Sequence, residues 1–326
     1  MNIIVDAFGG DNAPLEVIRG CKIAEENLGT NIILTGDEEI IKKTAGENDI
    51  DISRMDIIHA DGVFDIHDKP TTILKSGKNT SLAVGLKALS EGKGNAFLSA
   101  GSTGALVAGA TFIVKRIKGI KRAALAPVLP TEKGRLMLID GGANIDCTSD
   151  MLVQFAIMAS AYMEKVKGIK KPRVGLINVG AEDTKGRELE LEAYKLLSEA
   201  PVNFCGNLEA REMPKGNFDV AVTDGFTGNV ALKLYEGMGA FIGNKMKDIF
   251  SGGIKSKLSA LMVLGKIKAL RKQMDYTEEG GAVLMGVSKP VIKAHGSSDA
   301  KAFYNAIRQA KACVDGGVIE AIEKSI

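Results

Sequence analysis

The chain has 326 residues, with 42 Lys and Arg against 40 Asp and Glu and 45% hydrophobic residues, which excludes both a disordered polymer and a strongly basic nucleic-acid binder. Cys21, Cys147, Cys205 and Cys313 form no C-x-x-C pair and there are only 3 His, so neither a zinc cage nor a disulfide framework is read, and a reducing cytoplasm is expected. The opening MNIIVDAFGG lacks the basic region and cleavage site of a signal peptide, so none is expected.

Short apolar runs recur along the chain, each followed by a glycine-containing turn and a helical period, the pattern of an α/β protein with a mostly parallel sheet flanked by helices. The first strand is expected over Asn2–Asp6, followed by the turn Gly9-Gly10-Asp11-Asn12 and a helix opened by Pro14. Further strands are expected at Asn31–Thr35, Asp56–His59, Ala96–Ser99, Leu136–Ile139, Arg173–Ile177, Asp219–Thr223 and Val291–Lys293. No repeat or low-complexity linker divides them, so residues 1–326 are read as one α/β body with a helical excursion at about 254–275. Asn95–Val114 is twenty residues without a charge, the length of a bilayer span, but the central Ser99-Ala100-Gly101-Ser102-Thr103-Gly104 argues for a buried strand, turn and helix instead.

In open α/β sheets ligands bind at the carboxyl ends of strands, and five such turns carry reactive or small polar residues. If their strands are neighbours, the five turns converge on one pocket. Gly101-Ser102-Thr103-Gly104 precedes an apolar helix and suits either an anion or a plain Ser/Thr cap. It is not a Walker A loop, and no dinucleotide fingerprint follows the first strand. The turn at 178–186 brings Lys185, which reads as an anion-neutralising or an ordinary solvated lysine. His295 ends a strand ahead of Gly296-Ser297-Ser298-Asp299, where the imidazole can face a ligand; Ser297 and Ser298 are oxyanion donors or the next helix's cap. Asp140 and Asp146, flanking Gly141-Gly142, read as a metal pair or, more commonly, as turn caps. With no G-x-S-x-G elbow and no histidine near a cysteine in sequence, covalent catalysis is not indicated, and no metal or organic cofactor is required.

Two basic segments stand apart. Lys115-Arg116-Ile117-Lys118-Gly119-Ile120-Lys121-Arg122 is expected to close the helix after the Gly101 turn. Between Asp248 and Asp275 there is no acid, and Lys255, Lys257, Lys266, Lys268, Arg271 and Lys272 alternate with apolar residues, which suggests two short helices hinged near Gly265. Such a segment suits an anionic membrane, an acidic protein partner or a dimer contact.

Five motifs together carry a family resemblance: VDAFGGDNAP (Val5–Pro14), SAGSTGA (Ser99–Ala105), GGANIDC (Gly141–Cys147), VTDGFTGNVALK (Val222–Lys233) and AHGSSDAKA (Ala294–Ala302). In this order, from first strand to last helix, the chain resembles the phosphate acyltransferase (PlsX) family. Asn12, Ser102 and Gly141 stand where many relatives carry His, Asn and Val. The resemblance implies reversible transfer of a long-chain acyl group from acyl carrier protein (acyl-ACP) to inorganic phosphate, giving acyl phosphate for phospholipid synthesis. It implies a fold related to isopropylmalate dehydrogenases and phosphotransacetylases, a homodimer, and a cytoplasmic protein peripherally attached to the membrane, where it can meet the downstream glycerol-3-phosphate acyltransferase.

Under that chemistry, Gly101, Ser102, Thr103 and Gly104 with Lys185 are expected to hold phosphate, and Asp224, Thr227 and Asn229 to shape the acyl-thioester site. His295, assisted by Ser297 and Ser298, is expected to stabilise the oxyanion or protonate the leaving thiol. Lys115 and Arg116 are assigned to the acidic carrier and Lys266, Lys268 and Arg271 to the membrane, although either segment suits both. The competing readings are a phosphotransacetylase using acetyl-CoA, a dehydrogenase disfavoured by the missing dinucleotide fingerprint, and a membrane-associated scaffold without catalysis.

Overall fold

The computed structural model describes residues 1–253, 259, 262–267 and 276–326. Among the described residues eleven strands form one mixed sheet: β1 (Asn2–Asp6), β2 (Asn31–Gly36), β3 (Asp56–His59), β4 (Ala96–Ser99), β5 (Ala124–Thr131), β6 (Gly134–Ile139), β7 (Arg173–Asn178), β8 (Asn203–Glu209), β9 (Val220–Val222), β10 (Ala282–Met285) and β11 (Val291–Lys293). Their spatial order is β3-β2-β1-β4-β11-β10-β5-β6-β9-β7-β8.

The sheet is two parallel halves joined by an antiparallel waist. β3, β2, β1, β4 and β11 run together, as do β6, β9, β7 and β8. β11–β10, β10–β5 and β5–β6 are each antiparallel, so three reversals separate the halves and they run in opposite directions. The five turns therefore do not leave one edge of a uniform sheet, as a simple parallel reading expects. Register nevertheless brings them to one level. Ser99 pairs with Lys293, Lys293 with Ala282, and Ala282 with Pro127. Pro127 adjoins Val128, which pairs with Met137, only two residues before the end of β6 at Ile139. The turns after β4 and β11 and those after β6, β7 and β9 thus form two groups, one on either side of the waist, and the turn after β1 lies with the first.

Strands covered on both faces need apolar residues at successive positions, and these supply them. Ile3 and Val5 of β1 face a core shared with Ile18 of α1 (Leu15–Leu28), Phe155 and Tyr162 of α5 (Ser149–Lys165), and Phe303 and Ile307 of α8 (Ala300–Asp315). Ile4 turns to the opposite face, among Leu82 and Leu86 of α3 (Ser81–Ser90), Phe97, and Leu106 of α4 (Thr103–Gly109). Beneath α7 (Gly225–Ser251), Leu136, Leu138, Leu208 and Leu232 form a third cluster. Each fully buried side chain of this size contributes roughly 1.5–3 kcal/mol. Gly20 lets α1 approach α8 closely, because a Cβ there would lie 2.4 Å from Cβ of Phe303.

β5, β8 and β10 escape the sequence reading. β5 contains Pro127 and Pro130, which argue against a central strand, and β8 mixes polar residues with Cys205 and Gly206. The charge-free stretch forms β4, a turn, α4 and a π-helical turn over Ala110–Val114, and no helix among the described residues is long and apolar enough to cross a membrane.

The basic segment after it does not close that helix. The chain leaves at Lys115 with φ 75°, Arg116 bridges to Val287, and Lys121 pairs with Asp150. Residues 262–267 are helical through Gly265, so the hinge expected there is absent, and Lys266 is exposed. Lys255, Lys257, Lys268, Arg271 and Lys272 lie outside the described residues.

Candidate active site

The first group of turns is organised by a buried acid. Asp6, at the end of β1, accepts the Ser99 hydroxyl at 2.7 Å, and Ser99 Oγ in turn accepts the Gly101 amide at 3.0 Å. Burial raises the Asp6 carboxyl above the ordinary carboxylate range, against hydrogen bonds from Ser81, Ser99, Phe8 and Gly9. The carbonyl of the same Ala100–Gly101 peptide accepts from Lys293 Nζ at 3.1 Å. Both polar groups of that peptide are thereby committed within the protein. The expectation that the Gly101 amide faces phosphate is corrected; Ser102, Thr103 and Gly104 follow it at the start of α4. Ser102 caps that helix, accepting the Ala105 amide at 3.4 Å. Gly9 allows the assembly to close, since a Cβ on it would lie 2.7 Å from the Gly101 nitrogen.

The turn after β11 packs on the turn after β1. The Asp11 amide donates to Gly296 O at 2.8 Å, and Asn12 Nδ2 donates to the carbonyls of Ser297 and Ser298, each at 3.3 Å. His295 Nδ1 lies 2.8 Å from Ser297 Oγ and accepts the Ser297 amide at 3.3 Å, which leaves the proton of a neutral ring on Nε2. Asp299 caps α8, accepting the Ala302 amide at 2.9 Å, so the cap is neither Ser297 nor Ser298. Ser298 is 4% exposed and its Oγ is buried with no hydrogen-bond partner among the described residues. A buried hydroxyl left this way beside a histidine is suited to a ligand oxygen.

Across the waist, Asp140 ties the turn after β6. It accepts the amides of Leu125, Gly142, Ala143 and Asn144 at 2.7–3.0 Å and the Asn144 side chain at 2.8 Å. A carboxylate so occupied is a backbone knot, and the metal-pair reading with Asp146 falls. Among the described residues no His/Cys/Asp/Glu group has the geometry to hold a metal ion. Gly225 and Gly228 let α7 press onto this knot: a Cβ on Gly228 would lie 1.9 Å from Asp140 O, and one on Gly225 2.3 Å from Asn144 O.

Asp224 caps α7, accepting the Thr227 amide at 2.8 Å and its hydroxyl at 2.9 Å. Arg187 Nη2 adds a bond to Asp224 at 2.7 Å and also pairs with Glu190. Burial works to raise the Asp224 carboxyl, but the Thr227 and Arg187 contacts outweigh it and hold it below its usual value. Asp224 and Thr227 are thus spent on each other as a helix cap. Asn229 Nδ2 donates to Gly141 O at 3.3 Å. Lys185 is exposed, its carbonyl held by Asn178 at 2.9 Å, and its ammonium has no ion pair among the described residues. Cys147, half-buried in the turn after β6, has its thiol pushed up to about 11, first by burial and further by Asp140, Asp224 and Asp146. It is no ready nucleophile.

The site is thus two sets of predicted residues. Gly101–Gly104 and His295–Ser298 belong to one half; Lys185, Asp224, Thr227 and Asn229 belong to the other. Asp6, Ser99, Arg187 and Lys293 were not singled out by sequence reasoning. A polar residue ending an apolar strand was the available signal for Asp6, Ser99 and Lys293.

The fold, an α/β protein with a waisted mixed sheet, is shared with phosphotransacetylases. The structure matches a phosphotransacetylase from Streptococcus pyogenes at TM-score 0.66 and 18% identity, covering 98% of this chain and 94% of that one. EutD phosphotransacetylase from Staphylococcus aureus matches at TM-score 0.62 and 17% identity over 96% of this chain and 94% of that one. In sequence, the family described as "Fatty acid synthesis protein" matches residues 1–321. The phosphate acyltransferase of Clostridium botulinum (strain Loch Maree) is 46% identical over 100% of this chain and 98% of its own length. That of Caldanaerobacter subterraneus is also 46% identical, over 100% and 97%. The chain belongs to the phosphate acyltransferase family.

Proposed function

We propose that this acyltransferase moves a long-chain acyl group from acyl-ACP to inorganic phosphate, supplying acyl phosphate for phospholipid synthesis. A phosphate oxygen attacks the thioester carbonyl carbon, a C–O bond forms, the tetrahedral oxyanion collapses, and the C–S bond breaks. The departing thiolate takes up one proton. Phosphate is itself the nucleophile, so the protein's task is to bind, align and stabilise charge.

The observations that carry the reading are the orphaned Ser298 hydroxyl, buried close to His295 in the chain on one side of the waist, and Lys185, exposed and without an ion pair among the described residues, on the other. We assign phosphate to Ser102, Thr103 and Gly104 with Lys185, and the oxyanion and leaving thiol to His295 and Ser298, with Ser297 orienting the imidazole. Asn229 borders the thioester site, while Asp224 and Thr227 shape it by capping α7. Exposed Ile145, Phe226 and Val230 adjoin these turns and support a long apolar acyl group over an acetyl group.

Farther along α7, Leu234, Met238 and Phe241 recur three or four residues apart as an exposed stripe, which supports a homodimer. Exposed Met262, Val263 and Leu264 beside Lys266 support peripheral membrane attachment through the following segment, and exposed Lys115 and Arg116 support a carrier-protein contact.

The test is mass-spectrometric detection of acyl phosphate from purified protein, phosphate and palmitoyl-ACP, with acetyl-CoA in parallel. Phosphate-dependent palmitoyl phosphate is expected. Acetyl phosphate alone would move the assignment to a phosphotransacetylase, and no product from either donor would remove the enzymatic reading.

A further inference from the structure

Lys293 ends β11 beside Ser99 of β4, and its ammonium donates to the carbonyls of Ala100 and Ala294. It therefore joins the turns after both strands with two of its three N–H groups. The charged groups around it come from three places. Asp6 of β1 and Asp11 of the following turn favour its charge, while Lys233 of α7, in the other half of the sheet, opposes it. Lys233 is mostly exposed and held at 2.8 Å by Glu236. Burial first, and Lys233 second, lower the Lys293 ammonium to about 8. Lys233 thus works against the Lys293 charge from the other half of the sheet, and a phosphate dianion at Lys293 works in its favour.

We propose that Lys293 is a phosphate-binding residue: its third N–H is donated to the phosphate dianion, and its other two hold the turns around that anion. This rests on the reading of the protein as a phosphate-utilising acyltransferase and adds one residue to its site.

The sign of the pH effect follows from the shift. Below pH 8 Lys293 carries its proton and attracts phosphate; above it the proton is lost and the attraction fades. Phosphate binding favours the ammonium, so near pH 8 binding is accompanied by proton uptake.

The experiment is calorimetric titration of the full-length protein with inorganic phosphate at pH 7–9, in buffers of different ionisation enthalpy, alongside the acyl-phosphate assay. Lys293→Met is expected to weaken phosphate binding at least about tenfold, as for loss of a charge-assisted hydrogen bond, and to abolish the proton uptake. It should raise KM for phosphate while leaving KM for palmitoyl-ACP near wild type. Lys233→Met, at an exposed site, should fold normally and move the falling limb of phosphate affinity to higher pH, which decides the matter if Lys293→Met does not fold. Wild-type phosphate affinity and uptake in folded Lys293→Met, or an unmoved limb in Lys233→Met, would overturn the proposal. A wild-type protein that binds phosphate through Lys293 yet makes no acyl phosphate would instead remove the functional reading and leave this one standing.

Discussion

The hydroxyl of Ser99 lies 2.7 Å from the buried carboxylate of Asp6 and at the same time accepts the Gly101 amide. A strand-end serine therefore sets the orientation of the peptide that leads into the candidate phosphate turn, and an acid with 2% exposure sets the serine. Ser99→Ala removes one of several donors to the buried Asp6 carboxyl and leaves the Gly101 amide without its acceptor, which costs about 1–3 kcal/mol. Chemical denaturation should report a loss of that size, and KM for phosphate should rise more than KM for the acyl donor. Unchanged kinetics in a destabilised protein would show that the Asp6–Ser99 bond serves folding alone.

His295 and Lys185, both assigned above to the proposed reaction, lie in opposite halves of the sheet. His295→Ala and Lys185→Ala should each lower acyl-phosphate formation, His295→Ala by about 10²-fold or more if it donates to the oxyanion or the leaving thiol. Size-exclusion and circular dichroism establish that both variants are folded. Wild-type rates in both would remove the site assignment.

Gly228 is the point at which α7 meets the Asp140 knot, where a Cβ would lie 1.9 Å from a backbone carbonyl oxygen. Gly228→Ala must displace the helix start or the turn, and over-packing of this kind costs roughly 1–3 kcal/mol. A fall in thermal stability together with lost activity is expected, whereas Gly237→Ala, where added bulk meets nothing, should leave thermal stability near wild type.

Asp224 predicts the acid limb of stability. Its carboxyl is held below its ordinary value, so its contribution is fully present above the unfolded-state value of about 3.9 and is lost as pH falls through the lower folded value. Asp224→Asn should therefore flatten the decline in stability below about pH 4. Urea unfolding across pH 2–7 measures this, and superimposable profiles for mutant and wild type would contradict the role of the Arg187–Asp224 pair.

Cys147 tests whether the protein itself is acylated. With its thiol raised to about 11, Cys147 carries almost no thiolate at neutral pH. Cys147→Ala should retain activity within a few-fold, and intact-mass spectra during turnover should show no acylated protein. An acyl adduct on Cys147 would replace direct attack by phosphate with a two-step mechanism.

By itself the sequence determined the local features: apolar runs that alternate with glycine turns specify an α/β sheet, and five motifs in order specify the family. Local chemistry also placed reactive residues at strand ends, because a turn is legible wherever a buried run stops. What only the tertiary structure decided was direction and partnership. The antiparallel waist is made by β10 and by the proline-bearing β5, whose pairing depends on distant strands, so the division of the five turns into two groups was not legible in local sequence. Partnership likewise is non-local. Gly101 gives its amide to Ser99, Asp224 is committed to Thr227 and Arg187, and Asp140 is filled by backbone donors, whereas Ser298 keeps an unpaired hydroxyl. Whether a polar side chain serves the fold or remains for a ligand depends on which neighbours come within hydrogen-bonding distance, and for these residues that distance is set by the packed sheet.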